Sequence, residues 1–493
     1  MRCLALAQAW QDDGGEAVFA MAKSTPAVRA RLAHEGHRVI SNPVVAGSTQ
    51  DANWTADLAS QHSAKWTVAD GYSFDADYQR RIKDAGLKLL GIDDHASVSH
   101  LFADLVVNQN LHAHQVSYLR EPCTQLLLGP KFAMLRREFE AWRGWRRDIP
   151  AIAKRVLVTM GGSDPGNLSA IVIEALRLLS VEGLEAVVVV GGSNPHIASL
   201  RSQTAGLPEM LKLEVDVRNI PELMSWADIA VSAAGATVWE MCMLGLPAII
   251  TAVADNQVPI AEELYKRDLG IYIPQSRLTV QNLAEKIEFM TRSASLRSNM
   301  SQSAVELVDG RGASRVLAAM KFDQLSLRQA RPADCHLVWE WANDALVRQV
   351  SFSNETISWG DHCQWFSQRI EDPAVLFLIC EEAGTAVGTV RFEKDGNSDA
   401  AISMSIAQKY RGRGLAALFI KKAAALLFER GQIKRVHAFV RENNRASVRS
   451  FESAGFFRIG AMLVRGTEAL HYVLEKSTIA YEPLGRAEAE AVR

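Results

Sequence analysis

From residue 1 to about 322 the chain alternates short apolar runs with amphipathic helical runs. This is the tightest constraint on its folding, because parallel strands cannot be joined by two-residue turns and need crossover helices. Strands are expected at 17–20, 66–69, 88–92 and 105–107, with helices at 26–35 and 76–85. A helix is expected from the first residue, with Leu4, Leu6 and Ala7 near one face and neither a capping signal nor a preceding strand. A second series places strands at 155–160, 186–190, 211–215, 229–232 and through Ile249 and Ile250. Its first helix carries Leu168, Ile171, Ala175 and Leu179 on one face. The class implied is α/β with parallel sheets.

The two series are separated at Leu128-Gly129-Pro130-Lys131-Phe132, which leads into a basic, Trp-containing stretch from Arg136 to Arg147. That stretch reads as a solvated helix bridging two halves. Two Rossmann-like halves with a cleft between them follow. After about 323 the texture becomes α+β. Strands are expected at 325–328, 376–381, 387–393, 401–406 and 436–440, with a helix through Trp339 and Trp341 and a long one over 415–430. The expected domains are 1–129, 130–322 and 323–480, with an Ala/Glu/Arg-rich tail at 481–493. A length of 493 residues suits two or three such cores.

Composition narrows the class further. A net charge of −2 gives no general pull toward nucleic acid or anionic membrane. No apolar run approaches the roughly 18–20 residues of a membrane helix. Six scattered cysteines without a CxxC pair argue against a zinc ribbon or a disulfide framework, and fit a reducing cytoplasm. No metal site is expected.

Three local patterns carry chemistry. In Met160-Gly161-Gly162-Ser163-Asp164-Pro165 a strand runs through small residues into a helix, with Asp164 as cap and Pro165 as first helical residue. Ser232-Ala233-Ala234-Gly235-Ala236-Thr237 repeats the design and opens a helix bearing Glu240. Small residues at helix N-termini suit phosphates, so Gly162, Ser163, Asp164, Gly235, Ala236 and Thr237 are candidates for a nucleotide diphosphate, and Gln257, in Asp255-Asn256-Gln257, is a further candidate for the UDP-sugar. Glu240 either accepts both ribose hydroxyls or is a solvated helix residue. Third, Gln408-Lys409-Tyr410-Arg411-Gly412-Arg413-Gly414-Leu415-Ala416 joins a strand to a helix, with glycines allowing close approach of a pyrophosphate and arginines adding charge.

Together with Asn444-Arg445-Ala446-Ser447, Phe451 and Gly455-Phe456, that third motif makes the 325–477 segment resemble the GNAT N-acetyltransferases. The resemblance implies that Arg411, Gly412, Arg413, Gly414 and Ala416 hold the pyrophosphate of acetyl-CoA as co-substrate. It implies that the strand of Met404 and Ile406 lies along the pantetheine, and that Asn444, with Ser447, meets the cofactor arm. The acceptor amine would attack the thioester directly. Many members carry Tyr where this chain has Phe451, so protonation of the leaving thiolate falls to water or another residue. Trp339-Glu340-Trp341, Arg348, Ser351 and His362-Cys363-Gln364-Trp365-Phe366 resemble the acceptor side of aminosugar and ribosomal-protein acetyltransferases, or are core. Glu393 is a possible base for the amine, or a solvated strand-end carboxylate.

Residues 1–322 resemble the UDP-sugar hydrolases of pseudaminic acid biosynthesis, a GT-B-like fold related to the glycosyltransferase that makes lipid II. The landmarks are Met1-Arg2-Cys3-Leu4-Ala5-Leu6-Ala7, Gly91-Ile92-Asp93-Asp94, 128–132 and the two small-residue loops. The resemblance implies that water attacks the anomeric carbon and UDP leaves, with Tyr72 and Asn256 at active-site positions. Family members carry a strand and a Gly-x-Gly-His loop upstream of the Met1 helix, and that His activates water. The present sequence starts at the helix. His95, His112 and His114 occupy no equivalent loop, and His95 reads as structural.

The two resemblances together imply a cytoplasmic bifunctional enzyme with a UDP-aminosugar substrate. It would acetylate the 4-amino group of UDP-4-amino-4,6-dideoxy-N-acetyl-altrosamine and then hydrolyse the product to UDP and 2,4-diacetamido-2,4,6-trideoxy-L-altrose. Two alternatives stay open: an acetyltransferase with a UDP-sugar-binding module that does not turn over, and a protein N-acetyltransferase fused to a glycosyltransferase-like domain.

Overall fold

A computed structural model describes residues 1–205, 210–396 and 398–478. The expected tail at 481–493 lies outside the described residues. The chain divides into two compact units, Met1–Leu317 and Ala318 onward.

The first unit holds strands β1 (Val18–Met21), β2 (Arg38–Ser41), β3 (Trp66–Asp70), β4 (Lys88–Ile92), β5 (Leu105–Asn108), β6 (Gln125–Leu128), β7 (Arg155–Thr159), β8 (Glu185–Val190), β9 (Leu211–Val215), β10 (Ile229–Ala233), β11 (Ala248–Thr251) and β12 (Ile271–Tyr272). The last six form one parallel sheet, ordered β12-β11-β10-β7-β8-β9. This is the doubly wound order, with its reversal between β7 and β10. Its central strands are nearly pure Val, Ile, Leu and Ala because helices cover both faces. Val156, Val158, Ile229 and Val231 enter one core, while Leu157, Ala230 and Ile250 enter another.

The earlier strands are not one sheet. β3-β4-β5-β6 form a four-stranded parallel sheet, and β1-β2 a separate parallel pair. The expected single Rossmann-like sheet is therefore divided, and Val68 of β3 stays 36% exposed where a central strand would be buried. The expected helix at the start is Arg2–Asp12, and it buries Leu4, Ala5, Leu6, Ala7 and Gln8.

Two local expectations need correction. The basic stretch is no solvated bridging helix. It forms one short 3-10 turn, Arg137–Trp142; Arg143 and Arg146 are exposed, but Arg136 and Arg147 turn inward. Arg136 pairs with Glu240 at 2.8 Å. Arg147 donates to the carbonyls of Met224 (2.6 Å), Ala227, Leu244 and Gly245, at the ends of the Ile220–Trp226 and Thr237–Met243 helices. Helix C-termini leave such carbonyls without partners, and a guanidinium offers five donors. Pro165, in turn, is not the first helical residue. The helix is Leu168–Arg177, three residues later, because Asp164 (φ +39°) and Asn167 (φ +51°) turn the chain before it starts. Asp164 still caps, accepting the N–H groups of Leu168 at 2.8 Å and Ser169 at 2.9 Å.

The second unit is a seven-stranded sheet of β13 (Leu325–Gln329), β14 (Val375–Glu382), β15 (Thr385–Lys394), β16 (Asp399–Ile406), β17 (Arg435–Val440), β18 (Phe457–Val464) and β19 (Thr467–Glu475), ordered β13-β14-β15-β16-β17-β19-β18. All neighbours are antiparallel except β16 and β17, which run parallel and pair only over Asp399↔Arg435, Ala400↔Val436 and Ala401↔His437. Beyond Ala401 they part. The Leu415–Glu429 helix packs Phe419, Ile420 and Ala423 on one face of the sheet, against Ile402, Val436 and Ala438. The Cys335–Ala342 and Trp359–Glu371 helices bring Val338 and Phe366 to Phe377 and Ile379 on the other. No helix among the described residues is long and apolar enough to cross a membrane.

Candidate active sites

In doubly wound sheets, ligands bind beyond the carboxyl ends of the strands at the order reversal. Here those ends are the β7 loop, with Gly162 and Ser163 exposed, and the β10 loop leading through Gly235, Ala236 and Thr237 into its helix. The two small-residue loops therefore flank the same reversal. A third loop approaches closely: a Cβ on Gly191 would lie 2.2 Å from the Gly162 carbonyl oxygen. Gly191→Ala is thus expected to displace the β7 loop and destabilise the first unit by about 1–3 kcal/mol, read from the midpoint of its chemical unfolding.

The candidate residues behave differently. Asp164 is 2% exposed and spends its carboxylate on the helix cap. Glu240 is 9% exposed with Oε1 on Arg136. Burial raises the Glu240 carboxyl above its ordinary range, and Arg136 draws it back toward the charged form. Gln257 accepts the Val253 N–H at 3.0 Å.

Tyr72, on the loop after β3, and Asn256, after β11, are 184 residues apart in sequence yet meet. Asn256 donates its Nδ2 to the Tyr72 hydroxyl at 2.8 Å, and that hydroxyl donates to Asp94 Oδ2 at 3.0 Å. Asp94 also accepts from Arg2 Nη1 at 2.8 Å and Asn110 Nδ2 at 3.0 Å. Arg2 in turn grips Asp70 at 2.8 Å. Arg2, Asp70 and Asp94 were not among the residues singled out by sequence. The signals available were the landmarks that contain Arg2 and Asp94, Met1-Arg2-Cys3 at the start and Asp93-Asp94 just after β4.

Burial alone would raise the Asp94 carboxyl, but Arg2, Asn110 and Tyr72 bring it below its ordinary value. The Tyr72 phenol is pushed up by burial and by the Asp94 charge. A carboxyl with a depressed folded-state value adds stability above its unfolded value, about 3.9, and loses it as pH falls through the folded value. Asp94→Asn should therefore narrow the difference in melting temperature between pH 7 and pH 3.

In the second unit, Gly412 (φ +81°) and Gly414 (φ +79°) bend the chain from β16 into the Leu415–Glu429 helix, whose N-terminus no side chain caps. The two arginines are already partnered. Arg411 bonds the Ile406 carbonyl at 2.9 Å and Asp344 at 2.8 Å, and Arg413 bonds Glu382 at 2.8 Å. Ala416 lies in the first turn of that helix. Ile406 points into the core and Met404 packs against it. The edge of β16 that carries them has no β17 partner beyond Ala401. Asn444 caps the Arg445–Ser453 helix by accepting the Ser447 N–H at 3.1 Å.

Phe451 is 6% exposed and packs on Phe456. On the acceptor side, Phe366 and His362 are buried, while Trp365 lies over the Arg391 guanidinium at 5.0 Å. Glu393 takes Arg391 at 2.8 Å. Among the described residues no group of three or more His, Cys, Asp or Glu is placed to hold a metal ion.

Residues 155–313 match the glycosyltransferase family 28 C-terminal domain, and residues 324–457 match the acetyltransferase (GNAT) domain. The chain joins a GT-B-like glycosyltransferase domain to a GNAT domain. An uncharacterized protein of Methanocaldococcus jannaschii is 23% identical over 414 residues, covering 79% of this chain and 80% of that protein. That match is longer than either unit, so it crosses the division between them. The spore coat polysaccharide biosynthesis protein SpsG of Bacillus subtilis is 24% identical over 254 residues, covering 50% of this chain and 73% of its own length. The UDP-N-acetylglucosamine–N-acetylmuramyl-(pentapeptide) pyrophosphoryl-undecaprenol N-acetylglucosamine transferase of Marinobacter nauticus is 30% identical over 132 residues, 26% of this chain and 36% of that enzyme.

Proposed function

We propose that the chain acetylates a UDP-4-amino sugar with acetyl-CoA and then removes UDP from the product, as two consecutive steps of pseudaminic acid biosynthesis. The observation that carries this reading is the joining of a GNAT domain to a family 28 domain on one chain. Relatives named for polysaccharide biosynthesis and for transfer from a UDP-sugar support a nucleotide-sugar ligand. Consecutive enzymes on one chain raise the effective concentration of the intermediate at the second site.

In the first unit, the β7 and β10 loops would hold the diphosphate on backbone N–H groups, with Gly162, Ser163, Gly235, Ala236 and Thr237 leaving room for it. Glu240, held by Arg136, would meet the ribose. Tyr72 and Asn256 would orient the sugar and water at the anomeric carbon.

In the second unit, Arg411, Gly412, Arg413, Gly414 and Ala416 would cradle the pyrophosphate. The free edge of β16 at Met404 and Ile406 would take the pantetheine, beside Asn444 and Ser447. Acetyl-CoA supplies the acyl group. The residues' part is to orient it and the amine, and to take up the amine proton.

Incubation with acetyl-CoA and UDP-4-amino-4,6-dideoxy-N-acetyl-altrosamine tests this. Coenzyme A release is expected, and failure to consume acetyl-CoA would contradict the acetyltransferase step.

One observation favours a second reading, in which the first unit binds the UDP-sugar without hydrolysing it. Asp94, the carboxylate that touches Tyr72, is held in its charged form by Arg2, Asn110 and Tyr72, and so is a weak base. Under that reading acetylated UDP-sugar accumulates and no UDP appears.

A further inference from the structure

The acceptor amine must lose a proton as it attacks the thioester, and Glu393 is poorly suited to take it. Its carboxylate is paired with Arg391 at 2.8 Å, and Arg369 lies 3.9 Å away. On the next three strands, on the same face of the sheet, lies a hydrogen-bonded chain of polar groups. Glu393 pairs in register with Ala401, and Ala401 with His437. Side chains of residues that pair in register share a face, and so do those two apart on one strand. Asp399 (two before Ala401), His437 and His471 (which pairs with Phe439) therefore all stand on the same face as Glu393, on the next three strands in turn. This is the face opposite the Leu415–Glu429 helix, since Val436 and Ala438 point into the core against that helix.

The three groups are hydrogen-bonded in sequence. Asp399 Oδ2 lies 3.0 Å from His437 Nε2, and His437 Nδ1 lies 2.9 Å from His471 Nε2. A carboxylate only accepts, so His437 donates from Nε2. In the neutral chain its Nδ1 then accepts from His471 Nε2–H, which leaves the His471 Nδ1 lone pair free. His437 is the last residue of β17 paired with β16, so the chain stands where the two strands part.

We propose that Asp399, His437 and His471 form the proton relay for amine acetylation in the second unit, with His471 as the general base. The proposal rests on the acetyltransferase reading given above and deepens it. The neutral amine nitrogen attacks the thioester carbon, an N–C bond forms, and the C–S bond breaks with coenzyme A leaving as thiolate. The amine proton goes to His471 Nδ1, and the His471 Nε2 proton passes to His437 Nδ1. The positive charge comes to rest beside Asp399. The relay then returns one proton to the thiolate or to water.

Burial and the neighbouring His437 hold His471 below the ordinary imidazole value, so it is neutral and able to accept near pH 7. Asp399 is kept charged, against burial, by His437 and Arg435. Other charged groups on this face include Arg435 and Glu475 beside Asp399, Arg391 and Glu393 on β15, and Arg328 and Glu381 farther along the sheet, while Arg369 of the Trp359–Glu371 helix reaches Glu393. His471 would be a catalytic residue, while Asp399 acts through His437 and is a positioning residue.

The test uses the full chain with acetyl-CoA and UDP-4-amino-4,6-dideoxy-N-acetyl-altrosamine. His471→Gln is expected to lower kcat by about 100-fold, in the range of general-base contributions, with acetyl-CoA affinity unchanged. The acidic limb of the pH profile should disappear with it. Asp399→Asn should lower kcat less and move that limb to lower pH, because the imidazolium loses its partner. Wild-type kcat and an unchanged limb in His471→Gln would overturn the relay.

If the wild-type protein does not acetylate this sugar, the acceptor reading fails. The relay is then decided by 15N-histidine spectra of the full chain. Protons on Nε2 of both histidines, with both spectra altered by Asp399→Asn, would support it. Two histidines titrating independently would overturn it.

Discussion

Replacing Gly412 and Gly414 together by valine is expected to raise the KM for acetyl-CoA by about 100-fold. Both glycines sit at φ near +80°. A β-branched residue is strained there, at roughly 1–3 kcal/mol per position. The loop can escape the strain only by changing its backbone, which moves the N–H groups that open the Leu415–Glu429 helix. Each 1.4 kcal/mol of lost binding is about tenfold in affinity, so two strained positions give the expected loss. The core face of that helix, with Phe419, Ile420 and Ala423, is untouched, so circular dichroism should not change. Calorimetric titration with acetyl-CoA measures the effect directly. An unchanged affinity would remove this loop from the cofactor site.

Tyr72→Phe is expected to slow UDP release by roughly 10- to 100-fold. The hydroxyl is the single atom that links Asn256 to Asp94, accepting from one at 2.8 Å and donating to the other at 3.0 Å. Its removal leaves a carboxylate oxygen and an amide donor without that partner, and hydrogen bonds to charged groups contribute about 1.5–3 kcal/mol. The ring itself is 54% exposed, so the substitution makes no cavity in a core. The stability loss should therefore be confined to the lost hydrogen bonds, about 1.5–3 kcal/mol, with no cavity penalty added. If the first unit binds the UDP-sugar without hydrolysing it, the same substitution should appear only as weaker UDP-sugar binding, with no UDP release in either protein.

Much of this architecture was legible in the sequence. The strands of the doubly wound sheet are runs such as Val156-Leu157-Val158 and Ala186-Val187-Val188, which can only be buried on both faces. The GNAT turn was legible because Gly412 and Gly414 are spaced for a loop entering a helix. Other elements left weaker marks. β2, Arg38–Ser41, is four residues with a charged end, and the Thr49–Gln61 helix buries only Asp51, Ala52 and Ala59, so neither has a strong period. β18 escaped notice because every residue from Phe457 to Leu463 is exposed, and no alternation marks a buried side.

The basic stretch misled for a different reason. Arg136 and Arg147 are charged in sequence but serve buried partners, Glu240 and helix-end carbonyls, that lie about 80–100 residues away. The candidate sites show the same division. The small-residue loops announce themselves locally, whereas Arg2–Asp70–Asp94 and Asp399–His437–His471 are assembled by pairing between distant strands and helices. No spacing rule reaches them.

Acetylation followed by UDP removal on one chain can be followed in a single time course with acetyl-CoA and UDP-4-amino-4,6-dideoxy-N-acetyl-altrosamine, with coenzyme A read by thiol titration and UDP by 31P NMR. Coenzyme A is expected first, UDP after it, and no UDP when acetyl-CoA is withheld. Release of UDP from the unacetylated sugar at the same rate, or no coenzyme A at all, would contradict the proposed function.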